Sequence, residues 1–162
     1  MTTQNNIISK SAQKVQNALL QKGVEFKVIE LPASAHTAIA AAEALECEVA
    51  QIVKSLIFKT KETHQPILVL ASGINRVNEK AVAQIVGEKL EKADANFTRE
   101  VTGYAIGGIP PVGHATQINT YIDEDLLKLG TLWAAAGTPN AVFSFESKDI
   151  ESLTNGHVVC IK

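Results

Sequence analysis

Residues 103–114 (GYAIGGIPPVGH) restrict the fold more than any other stretch of the chain. Gly107 and Gly108 would lose backbone entropy inside a helix or strand, and Pro110 and Pro111 lack the N–H that a ladder needs. With Gly113 close behind, the segment excludes a regular helix and a central strand. It predicts a loop where backbone approaches another group closely. A tight turn with no ligand is the plainer alternative, because glycine and proline punctuate ordinary loops too.

Around this loop the apolar pattern predicts short elements of both kinds. Ala12, Val15, Ala18 and Leu19 recur at helical spacing across 11–21, and Lys22-Gly23 stops them. Residues 24–31 alternate like a half-buried strand, ended by Pro32. Thr37 can cap an alanine-rich helix to about Leu45, and 51–53 suit a helical turn before a strand at 55–59. A turn at His64-Gln65-Pro66 leads to a buried strand at 67–71. Asn78 and Asp94 can cap two further helices, stopped by Gly87 and by Thr102-Gly103. Strands are expected at 118–122, 131–136, 141–145 and 157–161, with a helix from Ser147 to Leu153. Helices come early and singly while strands gather later, which favours a mixed α+β sheet over a regular βαβ series.

No internal repeat or low-complexity linker divides the chain, so residues 1–162 are expected to form one domain. At about this length a domain buries roughly 68–70% of its unfolded surface, enough for one core without staples. Cys47 and Cys160 are too few and too scattered for a disulfide framework. The first ten residues lack a signal-peptide core, and no apolar run reaches the ~18 residues of a membrane span. A cytoplasmic protein with no membrane partner is the expectation. A net charge of −2 argues against DNA or a general nucleic-acid coat, while a few lysines can still hold one RNA end.

Lys54 stands in the apolar segment 51–58 (QIVKSLIF). A lysine there either faces a pocket or snorkels to solvent at a strand start. In 107–111, the Gly107, Gly108 and Ile109 N–H groups would have to supply any donors aimed at a substrate carbonyl. Residues 137–140 (GTPN) make a good turn, where Asn140 offers both a donor and an acceptor. His114 is placed to be a general base, or a histidine bonded to backbone; no neighbouring carboxylate in sequence orients it. His36 and His64 lie in turn-like surroundings. Metal binding is not expected: His157 and Cys160 have an odd offset, and no Cys-x-x-Cys or His-Glu-x-x-His occurs. Cys47 reads as a small buried residue rather than a nucleophile.

Taken together, Lys54, the loop at 103–114 and the segment 134–140 (AAAGTPN) resemble the YbaK/ProX family, freestanding relatives of the editing domain inserted in bacterial prolyl-tRNA synthetases. The resemblance spans roughly residues 36–143. It implies an α+β domain with a mixed, strongly curved sheet flanked by helices, and an aminoacyl-tRNA deacylase that needs no cofactor or metal. Lys54 matches the signature lysine of the family's pocket, and Gly107–Pro111 matches its G-x-x-x-P loop. The resemblance gives Lys54, Gly107 and Gly108 the catalytic roles. It assigns substrate contacts to Lys54, Pro111, Gly137 and Asn140, and His114, next to the loop, is counted with them on its own position and chemistry. The implied partner is the 3′ end of aminoacylated tRNA, most naturally tRNA(Pro) carrying a small non-proline amino acid, with prolyl-tRNA synthetase as a further partner. A noncatalytic module binding aminoacyl-tRNA or a nucleotide-like ligand is the alternative, as is an interaction protein using these segments only as turns. Ester hydrolysis separates the first two.

Overall fold

In the computed structural model, which describes residues 9–23, 26, 28–32, 34, 35 and 37–162, eight strands join one mixed sheet. Five helices flank it: α1 (Lys10–Gln21), α2 (Ala38–Leu45), α3 (Glu79–Val86), α4 (Ala95–Thr102) and α5 (Ile150–Thr154). The strands are β1 (Ile29–Glu30), β2 (Ile52–Thr60), β3 (Pro66–Ser72), β4 (Leu90–Lys92), β5 (Asn119–Asp123), β6 (Thr131–Ala135), β7 (Ala141–Glu146) and β8 (His157–Val159).

The predicted caps form. Thr37 accepts from the Ala40 N–H, Asn78 from Ala81 and Asp94 from Phe97. Each side-chain oxygen satisfies one of the N–H groups that a helix start leaves orphaned. Gly87 and Gly103 end α3 and α4 in the left-handed region, as glycine does most readily.

The sheet order is β1-β7-β6-β2-β3-β5-β8, with β4 also joined to β2. β3 is an interior strand, between β2 and β5, and is buried on both faces. Leu68 and Leu70 enter a large core with Val15 and Leu19 of α1, Val101 of α4 and Ile150 of α5. Ile67, Val69 and Ala71 face a smaller core closed by Val82 of α3. Alternation on a strand sends neighbouring residues to opposite faces, so one apolar run serves two cores.

Four differences from the sequence reading bear on the site. The helical turn lies at Val49–Gln51, and β2 begins at Ile52, which places Lys54 inside the strand rather than at its start. A distant tie sets that boundary: the Gln51 side-chain amide donates to the Thr131 carbonyl at 2.8 Å, and β6 pairs from Ile52 onward. The short β4 carries too little apolar pattern to be visible in sequence. β2 and β3, expected at 55–59 and 67–71, run longer than expected, over Ile52–Thr60 and Pro66–Ser72, so the first half carries long strands beside its helices. Finally, β8 stops at Val159, and the strand expected at 24–31 is formed only at Ile29–Glu30; Val24, Glu25 and Lys27 lie outside the described residues.

Candidate active site

A gap in the sheet creates the candidate site. β3 covers one edge of β2 from Val53 to Lys59. The other edge is shared: β6 pairs in parallel with Ile52 and Val53, and β4 pairs antiparallel with Phe58, Lys59 and Thr60. Between them, residues 54–57 have no strand partner on that side. The Thr60 N–H donates to Gln65 within the hairpin and the Lys61 N–H donates to Lys89 beyond β4. Successive residues point their backbone groups to opposite edges, so the odd-numbered residues of β2 face the gap. The Ser55 N–H, the Ser55 carbonyl and the Ile57 N–H therefore lie on an open edge. None of them has a hydrogen-bond partner among the described residues.

Two adjoining cavities occupy this gap. The first, about 290 Å³, is lined by consecutive residues Ile52–Leu56, by the small side chains of Ala35, Ala38, Ala41, Ala134 and Ala135, and by Trp133, Gly107 and Pro139. The second, about 380 Å³, runs on along Ser55–Phe58 toward Arg76, Val77 and Lys92. Ser55, Leu56, Ile106 and Ile109 line both, so the glycine loop divides one cleft into two chambers. The Ser55 hydroxyl is buried and has no hydrogen-bond partner among the described residues.

Lys54 is half-buried in the first chamber. Its Nζ donates to the Asn75 carbonyl at 2.6 Å. Burial pushes its pKa below the ordinary 10.5, with the nearby Arg76 charge acting in the same sense and Asp123 opposing both. As an ammonium it has three donors, and the Asn75 bond uses one. Asn75 is itself held firmly. Its side-chain amide donates at 2.7 Å to both Asp123 and Asp125; Asp123 also accepts from the Ser72 N–H, and Asp125 pairs with Lys162 at 2.8 Å. Sequence reasoning missed Asn75, Asp123 and Trp133. Residues 72–76 (SGINR) look like any turn, and only the fold brings a fully buried aspartate from β5 beneath it.

The glycine loop and the 137–140 turn bind each other. Gly108 donates its N–H to the Ala105 carbonyl at 3.0 Å and accepts from the Gly137 N–H at 2.9 Å. A Cβ on Gly108 would lie 2.7 Å from the Thr138 Cα, so glycine is required for this close approach. The donor expected of Gly108 is thus already engaged. The Gly107 and Ile109 N–H groups make no hydrogen bond among the described residues, and both residues line the first chamber. Gly137, at φ +100°, sits against α1, where a Cβ would meet the Ser11 carbonyl. It shapes the wall without lining the chamber. Asn140 accepts from the Leu31 N–H through its backbone carbonyl, and its side chain does not line the cleft.

Pro111 and His114 lie elsewhere. They line a separate, polar depression with Lys22, Asn119, Thr154 and His157 that shares no residue with the chamber of Lys54. His114 Nε2 is 2.7 Å from the Pro110 carbonyl, and burial lowers its pKa from 6.5 although that hydrogen bond opposes the shift. In the tautomer that donates to this carbonyl, Nε2 carries the proton. That is the backbone-bonded histidine anticipated as the alternative to a base. His64 occupies the β2–β3 hairpin with φ +58°, and His36 lies outside the described residues. Burial and Glu48 both push the Cys47 thiol up, away from a nucleophilic thiolate. Among the described residues no cluster could hold a metal ion, and no helix is long and apolar enough to cross a membrane.

Comparison with known proteins identifies the family and the fold. The family of the aminoacyl-tRNA editing domain matches residues 32–153. A solved structure described as "a putative trans-editing enzyme for prolyl tRNA synthetase" is 46% identical, with a TM-score of 0.92 over 96% of this chain and 99% of its own. The "Putative Cys-tRNA(Pro)/Cys-tRNA(Cys) deacylase EbsC" of Enterococcus faecalis is 29% identical over 91% of this chain and 93% of its own. A proline–tRNA ligase of Limosilactobacillus fermentum is 36% identical over 57% of this chain, which corresponds to 17% of that longer enzyme. The family match covers all but the ends of the chain, including the whole of the cleft around Lys54: the chain belongs to the aminoacyl-tRNA editing domain family.

Proposed function

We propose that this aminoacyl-tRNA deacylase acts in trans, in the cytoplasm, on tRNA(Pro) bearing a small non-proline amino acid. The observation that carries the reading is the first chamber, where five alanines leave room for a small side chain beside the Lys54 ammonium and the Gly107 and Ile109 N–H groups, which have no partner among the described residues. A synthetase pocket separates substrates differing by one methylene by only ~1–3 kcal/mol, so a second, differently shaped sieve corrects the residue of errors.

In the proposed reaction, a water oxygen adds to the ester carbonyl and the acyl carbon–ribose oxygen bond breaks. The products are the free amino acid and the tRNA hydroxyl; the water proton ends on the ribose oxygen, carried directly or through the neighbouring ribose hydroxyl. The ester is already activated, so placing water beside a polarised carbonyl can suffice. Gly107 and Ile109 donate to the developing oxyanion, and Lys54 holds the acyl-adenosine end. Gly108 and Gly137 hold the wall in place. His114 takes no part. Hydrolysis of charged tRNA(Pro) across small amino acids tests the reading: release of at least one above the buffer rate, with prolyl-tRNA(Pro) spared, is expected. No release for any of them would refute it.

A further inference from the structure

The second chamber is not needed to hold a small amino acid, yet it follows the open edge of β2. Its features point to a planar ligand with alternating polar groups. The Ser55 carbonyl accepts and the Ile57 N–H donates, side by side on the same edge of the strand. Leu56, Phe58, Val77 and Ile109 supply apolar walls, and the exposed Arg76 and Lys92 stand at the rim with Glu79. An acceptor followed by a donor complements the Watson–Crick edge of adenine, whose amino group donates and whose neighbouring ring nitrogen accepts.

We propose that the second chamber is a nucleobase subsite. The Ser55 carbonyl receives the adenine amino group, the Ile57 N–H donates to the adjacent ring nitrogen, and Arg76 and Lys92 attract the phosphate on the 5′ side. This assignment rests on the proposed function, since the base concerned is then the terminal adenosine of the charged tRNA, with its acyl group passing Ser55 into the first chamber. Backbone groups read the base, so the selectivity survives side-chain change along β2. Ser55 lines both chambers, so its backbone stands between the base and the ester.

The experiment is an amide NMR titration of the full chain with AMP and, separately, with IMP. The two nucleotides match in size and charge, but IMP reverses the donor–acceptor pair. Two mismatched hydrogen bonds at ~0.5–1.5 kcal/mol each predict that AMP binds at least about tenfold more tightly. The Ser55 and Ile57 amides should shift with AMP. Replacing Arg76 and Lys92 together with alanine should weaken AMP about threefold or more at low salt while leaving adenosine unaffected. Equal affinity for AMP and IMP, or shifts centred on the depression around His114, would overturn the assignment. Active deacylation with AMP shifts elsewhere removes the subsite and spares the reaction. AMP shifts at Ser55 and Ile57 without deacylation do the reverse.

Discussion

Replacing Gly108 with alanine tests whether the contact between the two loops holds the cleft wall. Gly108 lies outside the left-handed region, so alanine meets no backbone strain there. What it meets is main chain: the Thr138 Cα at 2.7 Å and the Thr138 C and N at 2.9 Å. Ordinary contact begins near 3.4 Å, so the loops must part by about 0.7 Å. Overpacking of this kind costs typically 1–3 kcal/mol, and the lower unfolded-state entropy of alanine returns about 0.4–1. The expected net loss is about 1–2 kcal/mol, which lowers Tm by roughly 2–8 °C for a chain of this size. The same displacement stretches the Gly137 N–H bond to the Gly108 carbonyl and moves Gly107 and Ile109. A misplacement near 1 Å can cost 10²-fold in rate, so we expect single-turnover deacylation to fall by about ten- to a hundredfold. Adding Thr138→Gly should not restore it, because the clashing atoms are backbone. Thermal unfolding by circular dichroism and single-turnover kinetics decide the matter. A Gly108→Ala protein with Tm within 1 °C and a rate within about twofold of the parent would refute the argument.

Lys54→Ala should lower deacylation by at least about tenfold, ~1.4 kcal/mol of transition-state stabilisation, with little change in Tm; a folded, fully active variant would show that the lysine only snorkels. Asn75→Asp adds a carboxylate between Asp123 and Asp125, so the turn beneath Lys54 should loosen; deacylation should drop several-fold, and an unchanged rate at unchanged Tm would show that the Asn75 carbonyl does not position Lys54. His114→Ala should stay within about tenfold in rate, whereas loss of a true general base costs ~10²–10⁴. Because burial lowers the folded-state pKa of His114, the unfolded chain binds its proton first. Stability should therefore decline as pH falls from about 6.5 toward that lower value, and urea titrations should find the decline smaller in the alanine variant.

Local chemistry made much of this protein legible from its sequence. Thr37, Asn78 and Asp94 cap helices through bonds three residues long, and Gly87 and Gly103 stop them, so those boundaries needed no knowledge of the rest of the chain. The apolar run at 67–71 announced a buried strand, and Lys54 and Gly107 stood out because their residue types conflict with their surroundings. Other features depend on partners far away in sequence. β2 starts at Ile52 because Gln51 meets Thr131, 80 residues on. Lys54 is held by Asn75, which is held in turn by a carboxylate from β5. Gly108 and Gly137 looked like ligand-facing glycines, but their freedom from a side chain is used against Thr138 and Ser11. His114 follows the loop by three residues from Pro111 yet opens onto a different depression. The open edge of β2 is the extreme case. Ser55 and Ile57 are ordinary strand residues, and the Ser55 backbone groups and the Ile57 N–H lack partners among the described residues only because β6 leaves the strand two residues before Ser55 and β4 joins it just after Ile57. A sequence states which groups each residue carries; which of them remain unpaired is decided by the packing of every other strand.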